Sequence, residues 1–83
     1  MPTLTDQRAA IDALDEQLVD LIRRRLAVSQ EIQQARLAAG GPRVAHSREA
    51  EVVARWRDEL GAPGSRIALA LLELARGPVA APR

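Results

Sequence analysis

The chain contains no cysteine, no phenylalanine, no tyrosine and a single tryptophan, Trp56, among its 83 residues. Without cysteine there is neither a disulfide framework nor a thiolate metal site, and a lone histidine, His46, makes no metal site by itself. So few aromatic rings supply stacking on nucleobases poorly. Lysine is absent as well. All 12 basic residues are arginine, they alternate with 11 acidic ones, and the net charge of +1 leaves no cationic face to track a phosphate backbone. No apolar run approaches the roughly 20 residues of a membrane span, and the N-terminus lacks the basic-then-apolar pattern of a secretory signal. The expectation is a cytoplasmic protein that binds neither nucleic acid nor membrane and carries no metal or other cofactor.

Glycine and proline are missing from Asp6 to Ala39, a stretch with a helical apolar repeat and no alternation of period two. The fold class is all-α, with three helices, one long and two short, in a single domain over residues 1–83. Helix one runs over about 4–39. It starts near Thr3 or Thr5, where Thr3 and Asp6 have the spacing of a capping box, and stops at Gly40-Gly41-Pro42. Helix two spans about 47–60, with Ser47 as N-cap and Val52, Val53, Trp56 and Leu60 on its buried face. Pro63-Gly64 reads as a turn, Ser65 as the next N-cap, and helix three spans about 65–76, apolar nearly all round, before a tail over 77–83. Helix one is then about 50 Å long, and two short helices joined by a turn do not cover it. An intertwined homodimer is the economical way to bury what remains.

One residue on helix one breaks the apolar pattern. Ile11, Leu14, Leu18, Leu21, Val28, Ile32 and Ala35 form a heptad seam, and the seam position between Leu21 and Val28 is Arg25. Burying an ion costs several kcal/mol, so an arginine kept there calls for an anion, either a carboxylate of the chain or one on a ligand; the bland alternative is that its stem lies on apolar surface and its head reaches water. If two long helices pack antiparallel about a two-fold axis near residue 22, Arg8 of one chain comes level with Arg36 of the other. Arg25 and Arg36 lie about 16 Å apart along nearly one face, so three cations converge on a space that suits a small dianion. Arg48 and Glu49 fall in the first turn of helix two, where free backbone N–H groups favour anions.

The stretch Arg8-Ala9-Ala10-Ile11-Asp12-Ala13-Leu14-Asp15, then Arg23-Arg24-Arg25 with Val28 and Ile32, Arg36, the Gly/Pro loop and Arg48-Glu49, resembles in order and spacing the all-helical chorismate mutases, over essentially residues 4–76. The resemblance implies a homodimer with two sites that converts chorismate to prephenate in phenylalanine and tyrosine biosynthesis. It implies that Arg25 and the partner chain's Arg8 hold one substrate carboxylate and that Arg48 helps hold the other. Arg36 takes the place of a family lysine that donates to the ether oxygen, and Glu49 matches the acid that accepts from the ring hydroxyl.

The chain departs from the family pattern in two places. A Ser and Gln pair near the end of helix three is missing from Leu74-Ala75-Arg76-Gly77-Pro78-Val79, and an acid in the loop before helix two is replaced by Ala45. A site short of these groups is expected to be weak alone. The short Gly/Pro tail resembles a subset of the family activated by 3-deoxy-D-arabino-heptulosonate-7-phosphate synthase, with the tail from Arg76 to Arg83 and the loop from Gly40 to His46 as the parts such a partner would reorder. Trp56 and His46 are expected to be a packing anchor and a loop residue. Competing readings are an isochorismate pyruvate lyase on the same fold, a non-catalytic helical dimerisation or regulatory module, and a helix-turn-helix DNA binder that the charge balance disfavours.

Overall fold

The computed structural model describes residues 1–41 and 46–77, which form three helices: α1 (Leu4–Ala38), α2 (His46–Leu60) and α3 (Ala62–Arg76). Thr3 caps α1 as a full capping box, its Oγ1 accepting from the Asp6 N–H while Asp6 Oδ2 accepts from the Thr3 N–H, each at 3.1 Å. These bonds, the one from the Thr3 backbone first and then that with its side chain, hold the Asp6 carboxyl below its ordinary 3.8. The other end closes just as completely. Gly40, at φ +77°, donates to the Leu37 carbonyl at 3.0 Å, and Gly41 donates to the Arg36 carbonyl at 2.7 Å, the bond pair of a Schellman stop. Arg36 therefore sits in a fixed last turn.

The junction of α2 and α3 differs from the expected turn. Gly61 alone separates the helices, at φ +78° and ψ −163°, a region essentially reserved for glycine. Pro63 lies in the first turn of α3, where a missing N–H breaks no helical bond, so Pro63-Gly64 begins the helix and Ser65 lies inside it instead of capping it. Gly64 is glycine for a packing reason: a Cβ there would lie 2.1 Å from the Trp56 carbonyl oxygen. Helix α2 likewise opens at His46, which puts Ser47 inside its first turn and His46 on a helix.

Helix α3 packs against both α2 and α1, and the core gathers on it: Ala68, Leu71, Leu72 and Ala75 are buried with Val52 of α2. Val53 and Trp56 are half-buried as expected, but Leu60 is 55% exposed, because the chain turns away at Gly61. Helix α3 is not buried all round; Ile67, Leu69 and Leu74 face outward. Helix α1 has no buried residue at all, and its seam from Ile11 to Ile32 stands 47–57% exposed at every large apolar position. Among the described residues no helix is long and apolar enough to cross a membrane.

Candidate active site

The apolar seam of α1 changes character after Leu21. Arg25, Val28, Ser29, Ile32, Gln33 and Arg36 recur at spacings of three and four residues, one continuous helix face. They form one wall of a cavity of about 400 Å³. Arg48, Glu49 and Val52 close it from the first turns of α2, and Leu72, Ala75 and Arg76 from the end of α3. The floor is thus aliphatic, and the charge is four arginines against one carboxylate. Such a surplus favours a ligand with more than one negative charge.

Arg25 is half-buried, as is Arg36, and among the described residues neither makes an ion pair with a carboxylate. Asp20, on the same helix, pairs with Arg24 at 2.9 Å on the surface. Arg48 makes an exposed pair with Glu51 at 3.3 Å, which costs little to exchange for a ligand. Glu49 is held differently. Its Oε1 accepts from Arg76 Nη2 at 2.6 Å, with the glutamate only 22% and the arginine 40% exposed. Gln33 Nε2 donates to the Ala75 carbonyl at 2.9 Å and ties α1 to the last turn of α3 beside that pair.

Four of the six site residues expected from the sequence thus meet on one cavity: Arg25, Arg36, Arg48 and Glu49. Arg8 does not join them within the chain, because it lies 28 residues before Arg36 on one unbroken helix, about 42 Å away at 1.5 Å per residue. Ala45 lies outside the described residues, as do most of the loop and the tail beyond Gly77. Three polar lining residues lie outside the expected set: Ser29, Gln33 and Arg76. Ser29 and Gln33 continue the Arg25 stripe at four-residue steps, a signal present in the sequence; Arg76 carries no such signal, since its partner is 27 positions away.

The profile of the family described as chorismate mutase type II matches residues 7–73. A protein named intracellular chorismate mutase from Mycolicibacterium smegmatis is 46% identical over 77 residues, 93% of this chain and 74% of its own length. Its namesake from Mycobacterium tuberculosis is 44% identical over the same share of this chain and 72% of its own. A solved structure, a non-covalent complex of DAHP synthase and chorismate mutase from Corynebacterium glutamicum with a bound transition state analog, superposes with a TM-score of 0.87 at 34% identity over 92% of both chains. Sequence profile, relatives and fold agree with an arginine-lined cavity between three helices, and the chain belongs to the chorismate mutase type II family.

Proposed function

We propose that this chain catalyses the rearrangement of chorismate to prephenate, as a homodimer in which Arg8 of each protomer completes the cavity of the other. The observation that carries the assignment is the cavity itself: Arg25, Arg36 and Arg48 with Glu49 over an aliphatic floor of Val28, Ile32, Val52 and Leu72. Its volume falls in the range of small-molecule sites, roughly 300–1,000 Å³. Chorismate carries two carboxylates, an ether oxygen and a ring hydroxyl, and the cavity offers cations for the first three and an acceptor for the last.

The chemistry asks for no nucleophile, acid or base. In a cyclic six-electron shift the ether C–O bond breaks, a C–C bond forms between the two ends, and the ether oxygen becomes the carbonyl oxygen of the new pyruvyl side chain. The enzyme's work is to hold the compact conformer and to stabilise charge that grows on the ether oxygen. Arg25 and the partner chain's Arg8 grip one carboxylate and Arg48 the other. Arg36 donates to the ether oxygen, where a preorganised cation favours the transition state over the ground state. Glu49 accepts from the ring hydroxyl.

Two supports favour the dimer. The exposed seam of α1 needs a cover, and Arg8 reaches a cavity only if it belongs to another chain. The end of α3 presents Ala75 and Arg76 to the cavity, and among its described residues no glutamine joins Arg36 as a second donor to the ether oxygen, which supports slow turnover by the isolated dimer. The relative solved in complex with DAHP synthase supports a reading in which such a synthase binds this chain and raises its rate. The test is loss of chorismate absorbance by purified protein, with prephenate identified as product, beside Arg25→Ala and Arg25→Leu variants, repeated with the synthase added. Slow, Arg25-dependent turnover that the synthase accelerates is the expected result. Release of pyruvate from isochorismate instead would reassign the enzyme. A more stable Arg25→Leu protein with undiminished turnover would refute the role of Arg25.

A further inference from the structure

The contact between Glu49 and Arg76 is the one strong ion pair inside the cavity among the described residues, and the reaction itself does not call for it. Arginine at the end of a helix has an ordinary explanation, since a cation there complements the helix dipole. Arg76 goes further: its guanidinium crosses to the first turn of α2 and bonds one oxygen of Glu49. The base it reaches from is fixed on two sides, by Gln33 donating to the Ala75 carbonyl at 2.9 Å and by Gly77, at φ +74°, donating to the Leu74 carbonyl at 3.0 Å.

We propose that Arg76 is a positioning residue, which takes Oε1 of Glu49 and leaves Oε2 to accept the ring hydroxyl of the substrate. The inference rests on the role given to Glu49 above. A glutamate side chain has three rotatable bonds, and ordering them only when the ligand arrives would subtract from binding; a bond made in the empty site does that ordering beforehand. Arg76 also offsets a difficulty of charge. Glu49 must sit beside a dianion, where a bare carboxylate would repel it, and a guanidinium at 2.6 Å cancels much of that field.

The test compares the parent dimer with Arg76→Gln, Glu49→Gln and the double variant, reading kcat and KM for chorismate, and by calorimetry the binding of a bicyclic dicarboxylate that mimics the cyclic transition state. Arg76→Gln is expected to lower kcat/KM by ~10-fold, the low end for bonds to charged groups because the pair is partly exposed. The loss should fall on KM, since the hydroxyl is held in ground and transition states alike, whereas a loosened fold would lower the active fraction and hence kcat. In the Glu49→Gln background the same change should have an effect within about twofold, the mark of a residue that acts through another. Losses that multiply in the double variant, a faster Arg76→Gln enzyme, or a loss confined to kcat would each overturn the proposal. Arg76→Lys keeps charge and stem; a few-fold loss that vanishes with Glu49→Gln is expected, and this variant decides on the same criterion if Arg76→Gln does not fold. If the parent does not convert chorismate, the assignment of function fails and takes this inference with it. If it does, and Arg76 and Glu49 act independently, only the positioning role fails.

Discussion

Gly64→Ala should damage this protein although alanine is the better helix former. A Cβ at residue 64 would lie 2.1 Å from the Trp56 carbonyl oxygen, 2.8 Å from its carbon and 2.9 Å from Leu60 Cβ. The nearest of these is backbone, so no side chain can rotate aside. Restoring an ordinary 3.4 Å contact requires α2 and α3 to separate locally by 3.4 − 2.1 = 1.3 Å. Overpacking of this kind costs typically 1–3 kcal/mol, and a backbone clash belongs at about 3. Replacing a helical glycine by alanine returns about 1 kcal/mol, which leaves a net loss of about 2 kcal/mol. For a chain of this size that lowers the unfolding midpoint by about 8–16 °C, compared at equal protein concentration because a dimer's midpoint depends on it. Leu72, Ala75 and Arg76 ride on the displaced helix and line the cavity, so KM for chorismate should rise as well. Thermal unfolding followed by circular dichroism, with kinetics on the folded variant, tests both parts. A Gly64→Ala protein that melts at or above the parent would refute the packing argument outright.

Arg36→Ala should cut kcat by about 10²-fold, or about 3 kcal/mol, if Arg36 supports charge on the ether oxygen, while Arg36→Lys keeps most activity; a loss below about threefold for alanine would remove it from that role. Thr3→Ala deletes the cap of α1 and should cost about 1 kcal/mol in urea unfolding. The depressed Asp6 carboxyl adds stability that is present above 3.8 and is lost as pH falls through its lower folded value, so the parent should lose more stability than Thr3→Ala on titration below that pH. Because the chain has no cysteine, Leu21→Cys near the proposed two-fold should form a disulfide between protomers under mild oxidation, whereas the same change at Glu73, on α3, should not; monomeric Leu21→Cys after oxidation would refute the antiparallel register.

The long helix was legible because its signals are local. The empty run of glycine and proline, the Thr3 and Asp6 spacing and the Gly40-Gly41 stop each lie within one or two turns of what they specify, and all of them hold in the structure. The start of α3 was misread for the opposite reason. Proline followed by glycine suits a turn and suits a first helical turn equally, and what selects between them is the Trp56 carbonyl, eight residues back and on another element. Leu60 fails in the same way: the helical period continues to put it inward, but it is the last residue of α2, ahead of Gly61, and stays 55% exposed.

The site divides along the same line. Arg25 and Arg36 announce themselves because an apolar stripe interrupted by a cation is visible in any helical projection, and Ser29 and Gln33 were there to be read from the same stripe. Arg76 reads from the sequence only as the last residue of helix three and the first of the segment a partner would reorder, because nothing near it in sequence says that its guanidinium turns back to Glu49. The two unmet requirements of the single chain then have one remedy. A seam left about half exposed at every large apolar position and an Arg8 held about 42 Å from Arg36 are both consequences of a helix too long to fold upon. Pairing two such helices antiparallel about a two-fold near residue 22, midway between positions 8 and 36, would cover the seam and bring Arg8 to Arg36 in the same step. On that reading the length of α1 is itself a functional feature, and shortening it by whole turns between Arg8 and Leu21 would abolish turnover even where the dimer survived.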